Sequence, residues 1–376
     1  MSGPRRANAA SSVAFTVVVT LLVVVGALVI LAILALSGAP RSVVLATLLA
    51  AVPVGPIVAC YLWLDRYEPE PRSLLAAGLL WGGFVATAAA IVLQGIGGVM
   101  AGFTEGQTLE VVAPVTEEAS KGLFLILLLW WRRAELDGVL DGIVYAGMVG
   151  VGFAFTENIL YLAAAYNGTD GLGPGGIEAV TTTFVLRCVI SPFAHPLFTT
   201  FIGIGVGLAV SSRGAGRVAW PLAGYACAVV AHAVWNTSTA YGLGNFALAY
   251  VVLMAPALIS VICLAVWSRR SEQRMLASAL SDAAARGLVP ATDIGWVVNL
   301  EARRRSRAFA RERGGRAGER AMRDYQQAAI ELGFLHYRYL RGTPPPDYAA
   351  RGQQFLERID ALRPSIAFPG QVVPTK

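Results

Sequence analysis

Glu117, Glu118 and Lys121 fall within a run, residues 111–131, that is otherwise apolar and long enough to cross a bilayer. An ionised side chain at that depth costs about 2.5–3.5 kcal/mol on insertion scales, so intramembrane charge marks function by default. Three further apolar runs carry Glu157, His195 and His232. Carboxylates and imidazoles together suit hydrolysis, because a carboxylate in a low dielectric is a stronger base towards water. Alternatively, His195, His232 and Glu157 supply the ligand types of a zinc site with one position open for water. Lys121 lies three and four residues after the paired glutamates and can pair with either on a helix. His232 and Asn236 share a helical face, as do Phe153 and Glu157, with Asn158 on the adjacent face. Asn236 can donate to a developing oxyanion or tie two helices together. The chain has no His-Glu-x-x-His helix, Gly-x-Ser-x-Gly elbow or Gly-x-x-x-x-Gly-Lys-Ser/Thr phosphate loop.

The elements that carry these residues are predicted to be membrane helices. Of 376 residues 56% are hydrophobic and only 14% charged, a balance that excludes an ordinary soluble domain. Eight apolar runs read as spans, at about 13–36, 43–64, 74–103, 109–131, 139–165, 181–210, 218–241 and 246–267. The fold class is therefore all-α and polytopic. Pro192 and Pro196 are expected to bend the sixth span. Gly147, Gly150 and Gly152 give the fifth a thin flank for close packing. The first run follows Arg5-Arg6 but is too long for a signal segment, so it reads as a retained anchor.

Basic residues of the connecting segments sit almost wholly on one side: Arg5/Arg6, Arg66/Arg72, Arg132/Arg133, Arg213/Arg217 and Arg269/Arg270, with only Arg41 opposite. By the positive-inside rule both termini are cytoplasmic. Counting about 1.5 Å per residue from the outer helix ends then puts Glu117/Glu118, Glu157 and His232 about 12–14 Å deep, with His195 at a similar level. One slab in the outer part of the bilayer holds them all. Arg187 reads as an interfacial or structural cation, and Asp137 and Asp141 as caps or helix-pairing groups. Cys60, Cys188, Cys227 and Cys263 have no metal spacing and read as small buried hydrophobes.

Residues 1–12 form a short cytoplasmic tail, 13–267 the membrane body and 268–376 a basic, mostly helical region. That last region holds 19 of the 30 Lys+Arg and 11 of the 24 Asp+Glu. Helices are expected at 271–286, 291–313, 316–341 and 346–362, broken at Gly314-Gly315 and at Pro344-Pro345-Pro346. Phe334, Tyr337 and Tyr339 suggest a modest core, and the end with Pro364, Pro369 and Pro374 reads as loose. The block Arg303-Arg304-Arg305-Ser306-Arg307 with Arg311 and Arg313 reads as a solvated face or a contact to anionic lipid; nucleic acid is not expected.

Several stretches, in order, resemble the PrsW-type intramembrane proteases. Ala113-Pro114-Val115-Thr116-Glu117-Glu118-Ala119-Ser120-Lys121 looks like their Glu-Glu-x-x-Lys motif. Phe153-Ala154-Phe155-Thr156-Glu157-Asn158-Ile159-Leu160-Tyr161, with Asp141-Gly142 ahead of it, is similar to the second. His195-Pro196-Leu197-Phe198-Thr199 and His232-Ala233-Val234-Trp235-Asn236 resemble the third and fourth. Asp65-Arg66-Tyr67-Glu68-Pro69-Glu70-Pro71 resembles a cytoplasmic loop of the family, and the basic tail departs from it. The resemblance implies a fold like that of the wider CPBP group with its CAAX-processing endopeptidases. It also implies cleavage of membrane-tethered proteins, anti-sigma factors among them, in a bacterial inner membrane. Carried over, Glu117 and Glu118 are the leading catalytic pair, one of them activating water, with Lys121 and Asn158 in support. Glu157 and His195 bind metal or shuttle protons, and His232 and Asn236 hold the oxyanion or a ligand. Zinc and a metal-free, glutamate-driven reaction both stand as expectations. The rival classes are a proton-coupled transporter or channel, since buried Glu and His also make relays, and an inactive membrane scaffold.

Overall fold

A computed structural model describes residues 4–37, 39–67, 69–169, 174–342, 344–345 and 347–370. Among them every regular element is helical and no strand occurs. The elements are α1 (Pro4–Leu36), α2 (Pro40–Ala51), α3 (Val54–Leu64), α4 (Arg72–Leu80), α5 (Thr87–Ala101), α6 (Glu105–Gln107), α7 (Ala113–Trp131) and α8 (Val139–Asn167). Then follow α9 (Gly176–Phe184), α10 (Ala194–Ser211), α11 (Gly216–Ala240), α12 (Leu243–Ala249), α13 (Ala255–Ala285), α14 (Ile294–Val298), α15 (Leu300–Leu340) and α16 (Tyr348–Leu362). Single π-helical turns at Trp81–Ala86, Thr108–Val112, Val185–Ile190 and Tyr250–Met254 extend or join them. Glu68, Pro346 and Pro374, each part of a motif noted above, lie outside the described residues.

Among the described residues, seven helical stretches are long and apolar enough to cross a membrane: Ser12–Leu36, Pro40–Leu64, Arg72–Ala101, Val139–Asn167, Gly176–Ser211, Gly216–Ala240 and Leu243–Ala285. They overlie seven of the eight expected spans. The eighth is helical throughout, from Glu105 to Trp131, but Glu117, Glu118 and Lys121 remove it from a purely apolar count. Two compact units result, Met1–Asp65 with Glu70–Ala265, and Arg66–Pro69 with Val266–Lys376.

In the first unit α8 is the most enclosed of these spans, and it packs on α2, α3, α4, α7 and α10. Its glycines face three neighbours rather than one flank: Gly147 meets the Tyr61 ring, Gly150 the backbone of Pro196, and Gly152 that of Leu79. A Cβ on Gly150 would stand 2.5 Å from Pro196 Cα, so only glycine admits α10 this close. Trp81, Phe124, Leu125, Leu128, Tyr145 and Val149 fill the space between α4, α7 and α8. Lipid is as apolar as these side chains, so what holds the helices is packing and hydrogen bonds. The Trp81 indole donates to Ser120 O at 3.0 Å and so anchors α7 one residue before Lys121.

The bend expected in the sixth span falls at residues 191–193. Ser191 leaves the helix (φ −124°, ψ 37°), and its N–H and hydroxyl both donate to Leu186 O, at 3.0 and 2.6 Å. Pro192 has no N–H with which to continue the ladder. The chain turns helical again at Ala194, with Pro196 in the first turn of α10, where the missing N–H is harmless. At the other end of the bundle Asp141 caps α8 by accepting from the N–H of Asp137 and Gly138. Asp65 closes the turn before α4 by accepting from Glu70 N, while Glu70 accepts from the Tyr145 hydroxyl at 2.6 Å.

Several details differ from the sequence reading. Only Cys188 is buried; Cys60, Cys227 and Cys263 are exposed. A membrane helix is apolar on its outer face as well, so an apolar run does not distinguish inside from outside. In the second unit the core is built by Leu276, Leu280, Met322, Tyr325, Phe334, Ile359 and Phe368, and Tyr339 is exposed against Tyr348. The end expected to be loose contributes Ile366 and Phe368 to that core. Arg303 is buried and donates to Tyr67 O at 3.2 Å, so it does not belong to a solvated face, whereas Arg304 and Arg305 are exposed. The break at Gly314-Gly315 is present as a kink within α15, and Gly315 has φ 59° and ψ −151°, a conformation open to glycine.

Candidate active site

Helices α7, α8, α10 and α11 each deliver part of one buried cluster. From α7 come Glu117, Glu118 and Lys121, the last two with no exposure at all. The Lys121 ammonium donates to Glu118 Oε1 at 2.7 Å, to Glu117 Oε2 at 3.4 Å and to His195 Nδ1 at 3.1 Å. Its three protons are thereby used, and it lies 3.7 Å from the centre of the Phe153 ring. His195, the second residue of α10, turns Nε2 to Glu157 Oε2 of α8 at 2.5 Å. His232 of α11 turns Nδ1 to Glu118 Oε1 at 3.0 Å and Nε2 towards Glu117 Oε2 at 3.8 Å. Carboxylate partners assign the tautomers: His195 carries its proton on Nε2 and His232 on Nδ1. The two rings meet edge to face with centroids 5.2 Å apart, and Phe198 stacks on His232.

The two adjacent glutamates differ in their surroundings. Glu118 accepts from Lys121 and His232 on one oxygen and from the Thr199 hydroxyl, at 3.3 Å, on the other. Glu117 holds only longer contacts, to Lys121 and to Gln94 Nε2 at 3.3 Å, and is slightly exposed. Its oxygens are therefore the better placed to accept from water.

Glu157 does not join Glu117 and Glu118. It accepts from Arg187 as well as His195, and Arg187 also donates from Nε to Asn158 Oδ1 at 2.8 Å and stacks on Tyr161 at 4.0 Å. Of the two roles expected for Arg187, interfacial or structural cation, the structural one holds: it is a member of the cluster through Glu157. An arginine within an apolar run requires a carboxylate partner, but the sequence does not say which one. Gln94 and Thr199 gave no such signal, because neutral polar residues are common in membrane helices. Asn236 lies apart from the imidazoles' ligands; its Nδ2 donates to Leu109 O at 2.9 Å and ties α11 to the turn ahead of α7.

A cavity of about 440 Å³ opens beside the cluster. Its lining includes His195, Arg187, Asn158, Asn236, Trp235 and Phe246. Arg187 and Asn158 are bonded to each other and, through Glu157, to His195, and the aromatic members supply an apolar wall, a lining suited to a peptide segment.

The expected metal set was His195, His232 and Glu157. Among the described residues, the groups whose donor atoms lie within 4.8 Å of one another are instead Glu117, His195 and His232. Glu157 stands behind His195, and Glu118 behind His232, each accepting the proton of the far ring nitrogen. Carboxylates in that second position are what metal-binding histidines carry. In donor type and backing this triad fits a divalent cation.

The chain is an all-α polytopic membrane protein with carboxylates, imidazoles and a lysine gathered inside its bundle. The model of the PrsW family of intramembrane metalloproteases matches residues 70–261, and the chain belongs to that family. Similar relatives include Protease PrsW of Geobacillus kaustophilus (strain HTA426), 30% identical over 163 residues, 43% of this chain and 65% of the relative. Protease PrsW of Bacillus subtilis (strain 168) is 34% identical over 103 residues, 27% of this chain and 41% of the relative. The chain thus spans less than two thirds of the length of these relatives. No solved structure matches.

Proposed function

We propose that the chain is an intramembrane endopeptidase that hydrolyses peptide bonds of membrane-tethered proteins. The observation that carries this reading is the enclosed cluster of Glu117, Glu118, Lys121, Glu157, His195 and His232 beside a cavity of about 440 Å³ that His195 lines. Glu117 takes a proton from the attacking water and returns it to the leaving amine. Glu118 positions His232 and Lys121. Arg187, through Glu157, fixes His195. Asn236 and Asn158, on the cavity wall, hold the substrate's carbonyl groups. A divalent cation held by Glu117, His195 and His232 would polarise the scissile carbonyl and acidify bound water.

The positive-inside pattern supports cytoplasmic termini and a site in the outer part of a bacterial inner membrane. Residues 13–267 would then carry the protease, with 268–376 a cytoplasmic unit able to rest on anionic lipid. Substrates of the anti-sigma-factor kind fit this reading, being tethered and cut near the outer leaflet.

Reconstituted protein should cleave a membrane-tethered peptide, and Glu117→Gln should lower kcat by about 100-fold or more, with a folded protein still present. Full activity in that variant would remove Glu117 as the base. Substrate-dependent proton flux in the same vesicles, without any cleavage by the wild type, would favour transport instead.

A further inference from the structure

His195 has a single lone pair to offer. Glu157 receives the Nε2 proton, so the lone pair is on Nδ1, and the Lys121 ammonium is donating to it at 3.1 Å. The same ammonium donates to Glu117, a second member of the triad whose donor atoms could hold a cation. A lone pair cannot serve a proton donor and a metal at once, and an ammonium beside a divalent ion is repelled. Lys121 has nowhere apolar to retreat to without cost. It is fully buried, held by Glu118 at 2.7 Å and faced by the Phe153 ring.

We propose that the Lys121 ammonium and a divalent cation are alternative occupants of one position, so that Lys121 sets the metal affinity of this centre. With Lys121 in place the chain carries its own cation there. A metal enters only when the ammonium swings off His195 Nδ1 and Glu117, keeping Glu118 as its partner. This inference rests on side-chain geometry and not on the peptidase reading, and its test needs no substrate.

The sequence supplies an unusual handle, because Lys121 and Lys376 are the only two lysines. Protein labelled on the lysine side-chain nitrogen therefore gives two NMR signals, one from the buried centre. Titration with Zn²⁺ in micelles should shift the Lys121 signal in step with bound zinc and leave that of Lys376 unmoved. Lys121→Met should bind zinc at least ten-fold more tightly than wild type in competition with a chromophoric chelator. Adding His195→Ala should abolish the gain. Zinc bound in equimolar amount with the Lys121 signal unmoved would overturn the proposal. Equal or weaker zinc affinity in a folded Lys121→Met protein would do the same. The NMR titration uses the unaltered chain, so the proposal can fail even if the variant does not fold.

Discussion

Replacing Glu118 by glutamine leaves the Lys121 ammonium, which has no solvent exposure, with its nearest negative charge removed. Breaking a buried pair in this way destabilises by about 3–5 kcal/mol. Glu118→Gln should therefore melt well below wild type in a detergent thermal scan, while Glu117→Gln should not. Equal melting of the two would show that the short contact at 2.7 Å carries no particular weight. A second residue-scale expectation concerns the loop between α3 and α4. Burial pushes the Asp65 carboxyl up to about 7 against the donation from Glu70 N. Burial likewise pushes Glu70 up to about 8, opposed by the Tyr145 hydroxyl and reinforced by the Asp65 charge. Unfolded carboxyls titrate near 4, so the folded loop holds these protons more tightly than the unfolded chain does. The stabilisation is full below about pH 4 and is lost as pH rises through about 7 and then 8. Melting temperature should fall between about pH 4 and pH 8, and Glu70→Gln should flatten that slope. A wild-type melting temperature that rises over this range contradicts the sign.

At the scale of elements, the contact of α8 with α10 decides where His195 stands. Gly150→Ala would bring a Cβ to 2.5 Å from Pro196 Cα, one residue beyond His195. The two helices must part, at a cost of about 1–3 kcal/mol, and the His195–Glu157 contact lengthens. Cleavage should drop by more than about ten-fold, since a misplacement near 1 Å is enough for that; Gly98→Ala, which meets nothing, is the control. Retained activity in Gly150→Ala would mean that α10 is not held by this approach. The spans, and the ionisable members Glu117, Glu118, Glu157, His195 and His232, were legible in the sequence because charge in an apolar run stands out against its surroundings. Which face each helix turns inward was not. Lipid and protein interior are equally apolar, so three of the four cysteines were assigned to the wrong side. Arg187 was visible as a residue but not as a partner, since the pairing depends on how the broken sixth span lies beside α8. The core of the second unit was misjudged for a related reason: Ile366 and Phe368 lie beyond the last long helix, where helical periodicity gives no guide.

For the molecule as a whole, the two units divide the charge as well as the chain. The first carries its charges chiefly in the buried cluster and the connecting turns. The second has its own apolar core, with Asp293 at a polar centre that accepts from Tyr325 and Arg363. The cluster itself has a peculiarity of order. Lys121 meets His195 across 74 positions of chain, and Glu118 meets His232 across 114. During synthesis α7 therefore leaves the ribosome long before α10 and α11 exist. It must enter the bilayer with three ionisable groups that have only one another for company. A nascent chain halted before His195 should leave α7 open to aqueous probes at residue 117 or 118, and one halted after Asn236 should not. Equal protection at both lengths would mean that α7 is seated without its later partners. Protection gained only at the longer length would make the buried cluster the latch that completes insertion.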